Sequence, residues 1–338
     1  MNTLIHKLKN KELLSAPLVG YPAAVLNSTT AKQNLTNSQI QIDTLAKYYR
    51  RLQPDILFPF MDLSVEVESL GLLINIKEND PPEVIEHSIR NEENLAHLSL
   101  PDLNRHRFHI FVETIAGLKD KTKAAVSGYV TSPFTLAGLL TGAERIAART
   151  ITRPKFISNL IDFSCDVGLK YAFQQQKAGA DCMVLLEPTA SLLSPELFEQ
   201  FVTPYINRFA EQLDIPVILH VCGNTEPLIK EFVKTQMDGL SLDYGVDLQK
   251  IMPQIPKDML VLGNIDPVRT MLGSTPNIIY RKTQNLISDL KEYDNYIPAT
   301  GCDVPPETDF ENIEAFQKAV EDIRKARKSE KMENLRHN

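Results

Sequence analysis

The sequence predicts a (β/α)₈ TIM barrel with additional helices and loops near its N-terminus. About eight short apolar runs have the length of buried strands and end at turn residues. Segments with helical spacing of apolar residues separate most of these runs, and strands that alternate with helices form a parallel sheet. No G-x-G-x-x-G follows any run, so a closed barrel fits better than an open dinucleotide-binding sheet.

The predicted elements follow one another along the chain in a regular order. The strands are expected at residues 16–20, 55–60, 124–130, 181–187, 215–222, 239–243, 259–265 and 296–302. Helical spacing is clearest at residues 195–213, 226–235 and 277–293. Segment 76–121 shows no clear strand and predicts inserted helices and loops. We expect one domain over residues 1–338, with residues 1–15 and 324–338 peripheral or frayed.

Composition narrows the class of protein. The chain has 338 residues, 43% of them hydrophobic, which is enough for a substantial core. Its 36 basic and 43 acidic residues give a net charge of −7, which argues against a nucleic-acid partner. No apolar run reaches the roughly 18 residues of a membrane span, and the first residues lack a secretory signal. We therefore expect a cytoplasmic protein without a membrane partner. In such a reducing compartment the four cysteines are not expected to form a framework of disulfide bonds.

His220 and Cys222 are two residues apart in a predicted strand, so both side chains point to the same face. An imidazole and a thiolate are both zinc ligands, and Cys302, at the end of another predicted strand, would supply a third. Three protein ligands leave one tetrahedral position open, which is typical of catalytic zinc. Spacing alone leaves the alternative open: a buried His and two inert cysteines.

Acids end three other predicted strands at the same face of the barrel. These are Glu187, Asp243 and Asp266, each of which is equally consistent with a helix cap or a loop carboxylate. By strand alternation Cys182 points opposite to Glu187, and hence toward the helices. Cys165 lies in a helix-like segment, and both cysteines are interpreted as structural.

Four blocks of sequence are similar to those of the uroporphyrinogen decarboxylase superfamily, whose fold is a (β/α)₈ barrel. They are a Gly followed by Pro-Phe-Thr-Leu within residues 127–137, a central segment at 179–205, Gly-Asn-Ile-Asp-Pro at 263–267, and a C-terminal motif at 306–313. The resemblance covers most of the chain, and the four blocks together are specific.

This superfamily contains two chemistries. Its decarboxylases use no metal, bind a polycarboxylate tetrapyrrole through an N-terminal Arg-rich motif, and carry Gly-His-Gly before the C-terminal Pro. The first arginine here is Arg50, and Gly301-Cys302-Asp303 stands in place of that motif. Both departures resemble the methylcobamide:thiol methyltransferases, such as the methylcobamide:coenzyme M enzymes. That resemblance implies Zn²⁺ on His220, Cys222 and Cys302, and matches Asp55 to the catalytic Asp of the decarboxylases.

The resemblance implies a zinc-dependent methyltransferase. The methyl donor would be a corrinoid (methylcobalamin) on a partner protein, and the acceptor a small thiol such as coenzyme M or homocysteine. Asp243 and Glu187 are the candidates for a fourth zinc ligand. Asn264 and Asp266, with the block at 132–135, are predicted to shape the corrinoid surface, although turn formation and capping explain them equally well.

Two other functions stay open at this point. One is a decarboxylase of a uroporphyrinogen-like tetrapyrrole, which the missing basic cluster disfavours. The other is a non-catalytic corrinoid-binding or structural zinc protein. A homodimer is the oligomer considered, and nothing in the sequence specifies it.

Overall fold

Seven parallel strands form a barrel-shaped sheet in a computed structural model, which describes residues 12–336. The strands follow one another around the sheet in sequence order, and every neighbouring pair is parallel. Its strands are β1 (Ile56–Leu57), β4 (Ala125–Thr131), β5 (Cys182–Leu186), β6 (Val217–Val221), β7 (Gly239–Leu242), β8 (Leu260–Ile265) and β9 (Tyr296–Thr300).

The gap between the two edge strands is filled by extended chain instead of an eighth regular strand. The Ala16 amide donates to the carbonyl of Pro298 in β9 at 3.0 Å, and the Ile56 amide of β1 donates to the Ser15 carbonyl at 3.2 Å. The strand predicted at residues 16–20 therefore occupies its place without a full ladder. Residues 12–15 were expected to be peripheral, but Leu14 and Ser15 are buried here; residues 1–11 lie outside the described part.

Helices surround the sheet and separate its strands. They are α1 (Ala31–Thr36), α2 (Ser38–Leu52), α3 (Val65–Ser69), α4 (Glu92–Ala96), α5 (Phe108–Lys119), α6 (Pro133–Thr141), α7 (Ala143–Thr152), α8 (Pro154–Lys177), α9 (Pro195–Phe201), α10 (Thr203–Gln212), α11 (Ile229–Phe232), α12 (Leu248–Ile251), α13 (Pro276–Asp289) and α14 (Phe310–Arg336).

The inserted segment predicted at 76–121 has the expected irregular character. It contains α4 and α5 and completes a small antiparallel hairpin of β2 (Ile74–Asn75) and β3 (Glu83–Val84). The helix predicted at 195–213 is split into α9 and α10. Within residues 12–336, none of the helices combines the length and the apolar composition needed to cross a membrane.

Strand alternation produces two apolar layers. One lies between the sheet and the helices, and the other fills the barrel interior with residues such as Ile218, Leu262 and Ala299. Cys182 belongs to the interior layer, so its predicted orientation toward the helices is wrong. Cys182 was placed relative to Glu187, whose carboxylate contacts Thr135 of α6 on the helix side of the sheet. The alternation therefore holds, and the assumed direction of Glu187 was wrong.

Asp55 lies at the N-terminal end of the barrel. It directly precedes β1, and its carboxylate accepts the Ser15 amide at 3.0 Å and forms an ion pair with Arg324. Active sites of this fold lie at the opposite face, so the match of Asp55 to a catalytic acid is wrong. Arg324 belongs to α14, which runs from Phe310 to Arg336, so the segment expected to fray is helical as far as it is described.

Candidate metal centre

Three ligand atoms converge at the C-terminal face of the barrel, the face formed by the C-terminal ends of the strands. Cys222 Sγ lies 3.2 Å from His220 Nε2 and 3.3 Å from Cys302 Sγ. Cys302 Sγ lies 3.6 Å from the same imidazole nitrogen. Within residues 12–336 these side chains form the group of His, Cys, Asp or Glu residues close enough to share a metal ion.

The two strands bring these residues together across 80 positions of sequence. Ile218 faces the barrel interior, so His220 and Cys222 do so by alternation, as predicted. Cys302 follows β9 after Gly301, where a Cβ atom would lie 2.6 Å from the backbone nitrogen of Tyr244. Glycine is therefore required there for the chain to pass close to the β7 loop.

The imidazole of His220 is held by its second nitrogen. His220 is 1% exposed, and its Nδ1 lies 2.9 Å from Ser241 Oγ. A proton on Nδ1, donated to Ser241, leaves the lone pair of Nε2 directed at the two sulfur atoms. Such a contact to the outer nitrogen fixes the tautomer and the ring orientation of metal-binding histidines.

The pair of sulfur atoms is also suited to a cation. The adjacent Cys222 thiol, together with burial, raises the pKa of the Cys302 thiol well above its ordinary value. A divalent cation reverses this, because coordination deprotonates thiols outright. Zinc takes Cys and His ligands in tetrahedral sites, and the donor atoms, the oriented imidazole and the paired sulfurs fit that metal.

Neither predicted fourth ligand belongs to this group. The carboxylate of Asp243 accepts the backbone amides of Gly223 and Tyr244, both at 2.7 Å. It therefore fixes the loop that follows Cys222. The carboxylate of Glu187 accepts both the amide, at 3.3 Å, and the hydroxyl of Thr135. It points at the start of α6, away from the sulfur pair.

The residues predicted to bind a corrinoid hold loops in place. The Asn264 amide donates to the carbonyls of Asp243 and Val246 at 3.0 and 2.6 Å. Asp266 accepts the amides of Val268 and Arg269 at 2.9 and 2.8 Å. These bonds correspond to the turn and cap that were the alternative interpretation, and corrinoid binding by either residue stays a prediction.

The block at 132–135 serves mainly to begin a buried helix. Pro133 is the first residue of α6, a position where a missing amide costs nothing. Ser132 and Thr135 are buried, and Thr135 links the helix to Glu187. Burial raises the pKa of Glu187 from 4.5 to about 7. The predicted contribution of this block to an exposed corrinoid surface finds no support in these contacts.

Sequence reasoning missed Asp303, the residue after Cys302. Its carboxylate accepts the backbone amides of Gly20 and Val304, and burial raises its pKa from 3.8 to about 7. Burial raises the pKa values of Tyr21 and Tyr129, and the nearby Asp303 adds to both increases. The signal was its position directly beside a predicted zinc ligand.

A buried ion-pair cluster was also missed. Arg107 is 6% exposed, pairs with the buried Asp62 and lies 2.7 Å from Glu68. Its third partner is the hydroxyl of Ser64, at 2.8 Å. Two carboxylates therefore already neutralise this arginine. No spacing rule could have found the cluster, since it joins residues more than 35 positions apart in sequence.

Comparison with known proteins gives relatives of two activities. The family described as "Uroporphyrinogen decarboxylase (URO-D)" matches residues 21–323. The chain is 30% identical to the methylated-thiol–coenzyme M methyltransferase of Methanosarcina mazei, over 88% of this chain and 81% of that protein. It is 29% identical to the methylcobamide:CoM methyltransferase MtbA of Methanosarcina acetivorans, over 68% and 69%. It is 27% identical to a uroporphyrinogen decarboxylase of Prochlorococcus marinus, over 84% of both.

Solved structures agree on the fold. A methyltransferase from Methanosarcina mazei superposes with a TM-score of 0.87 at 21% identity, over 95% of this chain and 98% of that one. A B12-independent methionine synthase from Shewanella sp. W3-18-1 superposes with a TM-score of 0.64 at 13% identity, over 95% and 99%. The sequence-based prediction of a TIM barrel is therefore confirmed.

Proposed function

Because the chain belongs to the uroporphyrinogen decarboxylase family, we propose that it is the methyltransferase type of that family and not the decarboxylase type. It transfers a methyl group from a methylated corrinoid, carried on a partner protein, to a small thiol such as coenzyme M or homocysteine. The observation that carries this proposal is the convergence of His220, Cys222 and Cys302 at the C-terminal face. Two relatives with methyltransferase names support it.

His220, Cys222 and Cys302 are the residues that would hold zinc. When bound, zinc supplies a site at which a substrate thiol is held as its thiolate at neutral pH, where a free thiol near pKa 8.5 is mostly protonated. The two cysteine thiolates balance the charge of the metal, so that the substrate sulfur keeps its electron density. Ser241 orients the imidazole, and Asp243 fixes the loop after Cys222.

The overall reaction balances without a further reactant. The carbon–cobalt bond breaks, a carbon–sulfur bond forms, the cobalt keeps the electron pair, and the proton of the thiol goes to solvent. The protein contributes position: rigid strand ends hold the ligands, and the buried surroundings of His220 exclude water.

The corrinoid would lie across the C-terminal face, because the barrel interior is filled by side chains. Several loops at that face carry exposed apolar side chains. Leu192 is 58% exposed, Tyr244 45% and Val268 53%, after β5, β7 and β8 respectively. Such a rim fits a partner whose corrinoid presents a large and partly apolar surface.

A decarboxylase is the competing function, since the Prochlorococcus marinus relative carries that name. A polycarboxylate tetrapyrrole needs several cationic side chains at the mouth. Arg107 is buried and already paired with Asp62 and Glu68, which disfavours that substrate.

The deciding experiment supplies the purified chain with methylcobalamin and follows the cobalt absorbance. We expect demethylation only when both zinc and a thiol are present, and loss of the reaction on chelation of the metal. Conversion of uroporphyrinogen to a decarboxylated product, without thiol-dependent demethylation, would establish the competing function instead.

A further inference from the structure

Helix α7 and the residues around it carry a cluster of arginines that the metal centre does not use. Residues 143–155 contain four basic side chains and a single acid, Glu144, in a chain whose net charge is −7. Arg145, Arg149 and Arg153 follow one another at four-residue intervals. This spacing places the first two on the same side of α7 and the third directly after its end.

Contacts of the guanidinium groups hold the cluster together. The guanidinium carbon of Arg153 lies 4.8 Å from the centre of the Phe156 ring, and that of Arg149 lies 6.0 Å from the same centre. Arg153 also donates to the carbonyl oxygen of Arg90 at 3.0 Å and to the carboxylate of Glu92 at 2.5 Å. Arg90, from the inserted segment, therefore joins the arginines of α7.

Most of this positive charge lacks a counter-charge. Within the described part of the chain, Glu92 is the carboxylate at ion-pair distance from these four arginines, and it pairs with Arg153. Arg90 and Arg145 are exposed and form no ion pair in that part. Burial, and then repulsion by Arg153, Arg145 and Arg90, lowers the pKa of the Arg149 guanidinium. Like charges at this spacing destabilise a helix, so a negatively charged partner would relieve the repulsion.

The cluster lies at the C-terminal face of the barrel. The 24 residues of α8 span about 36 Å, roughly twice the length of β5, to which the helix leads. The start of α8, next to Arg153, therefore projects past the C-terminal ends of the strands. In α6, which directly follows β4, a Cβ atom on Gly138 would lie 3.3 Å from the side chain of Thr189. Thr189 belongs to the same loop as Leu192, so the arginines continue the exposed apolar rim.

The composition of this surface favours a protein as its partner. Ile151 of α7 is 72% exposed, and Ala148 is exposed beside it. Arginine together with exposed apolar side chains is typical of protein interfaces, whereas nucleic acids are held mainly through their phosphates. The net charge of −7 also opposes a nucleic acid.

We propose that Arg90, Arg145, Arg149 and Arg153, together with Ile151, form a docking surface for an acidic surface of the protein that carries the corrinoid. This inference rests on the proposed function, because it takes the corrinoid to arrive at this face on a partner protein. Opposite charges on the two surfaces speed their encounter and fix their orientation.

An acidic carrier of known composition tests the charge preference. Methylcobalamin is joined through its ribose 5′-hydroxyl to a peptide of ten glutamates, or to a peptide of ten serines as the neutral counterpart. Each is supplied to the zinc-loaded full chain with coenzyme M. We expect kcat/KM for the glutamate carrier to exceed that for the serine carrier by about tenfold in about 20 mM KCl, and to approach it in about 500 mM KCl.

The test variant is Arg90→Gln combined with Arg145→Gln, two exposed positions whose replacement should leave the fold intact. It should reduce the preference for the glutamate carrier to about twofold or less and leave kcat/KM for free methylcobalamin unchanged. The matched control is Arg50→Gln combined with Lys123→Gln, which removes the same charge at the N-terminal face. The control should keep the preference of the wild type.

Equal losses in the two double variants, or no loss in the test variant, would overturn the docking surface. A lower rate with free methylcobalamin in the test variant would also overturn it, because the arginines would then act on the corrinoid itself.

Binding of the fluorescein-labelled ten-glutamate peptide, measured by anisotropy, tests docking without demethylation. Its Kd should rise about fivefold in the test variant. Tighter binding of a ten-nucleotide single-stranded DNA would assign the cluster to nucleic acid and overturn the proposal. If the wild type failed to demethylate free methylcobalamin, the proposed function would be refuted, and peptide binding would still decide whether the cluster docks an acidic surface.

Discussion

Asp55 and Asp303 lie at opposite ends of the same barrel, and their surroundings differ in one respect. Asp55, at the N-terminal end, accepts the Ser15 amide and pairs with Arg324 of α14. Asp303, at the C-terminal end, accepts two backbone amides and has no lysine or arginine partner within residues 12–336. The first carboxylate holds two parts of the chain together, while the second directly follows Cys302 of the candidate metal site, and burial raises its pKa to about 7. One face is therefore built for stability and the other for chemistry.

The largest effect on the contrast between the two faces is expected from substitution of the candidate metal ligands. Cys302→Ala and Cys222→Ser should each lose zinc, from about one ion per chain, and lower thiol-dependent demethylation by about 100-fold or more, because an open metal site needs all three ligands. Metal content by atomic emission and initial rates with methylcobalamin measure both effects. The metal-free variants should unfold within about 1 kcal/mol of the metal-free wild type.

Cys165→Ser provides the contrast for these variants. Cys165 is buried, and burial raises the pKa of its thiol to about 12, so it should be inert toward metal. Zinc content of this variant should equal that of the wild type. Full zinc content and activity in Cys302→Ala would contradict the three-ligand site.

A smaller effect is expected from Glu187, behind the C-terminal face. Burial raises its pKa from 4.5 to about 7, so the folded protein favours the neutral acid. Its contribution to stability is complete below about pH 4.5 and is lost as the pH rises to about 7. The Gln side chain of Glu187→Gln is neutral at every pH. Between pH 5 and 7 we therefore expect the free energy of unfolding to decline by about 2 kcal/mol less in this variant than in the wild type.

Urea unfolding at pH 5, 6, 7 and 8 measures this difference. Burial also raises the pKa of Glu66 from 4.5 to about 7, but Glu66 is unchanged in both proteins and contributes equally to each. The exposed Glu199, changed to Gln, is the control and should unfold in parallel with the wild type. Parallel pH curves for Glu187→Gln and the wild type would show that Glu187 is already charged in the fold.

The smallest effect is expected at the N-terminal face. Arg324→Ala removes the guanidinium from Asp55 and should lower the free energy of unfolding by about 1 kcal/mol, since the arginine is 24% exposed and the pair is partly screened. Arg51→Ala breaks a more exposed ion pair with Glu314, which belongs to α14 as Arg324 does. This variant should lower the free energy of unfolding by a smaller amount. Demethylation rates should be unchanged in both; a rate lost in Arg324→Ala would mean that the two faces are coupled.

Strand alternation held for both pairs of residues to which it was applied, but the direction assumed for one reference residue was wrong. His220 and Cys222 share a face because β6 runs through Val221, so the two-residue period holds up to its end. Cys182 does point opposite to Glu187, but Glu187 contacts α6 on the helix side, so the direction inferred for Cys182 was reversed. Asp55 was matched to a catalytic acid by the family resemblance alone; β1 starts at Ile56, which places Asp55 at the N-terminal end of the barrel.

The sequence by itself determined the alternation of strands and helices, the barrel and the inward orientation of His220 and Cys222, because each of these depends on periodicities only a few residues long. Only the tertiary structure decided that Cys302 joins them across 80 residues and that Glu187 points away. Closure of a barrel is what brings the ends of β6 and β9 to one mouth. The burial of Asp303, which raises its pKa to about 7, was decided in the same way, since it depends on which elements the fold packs nearby.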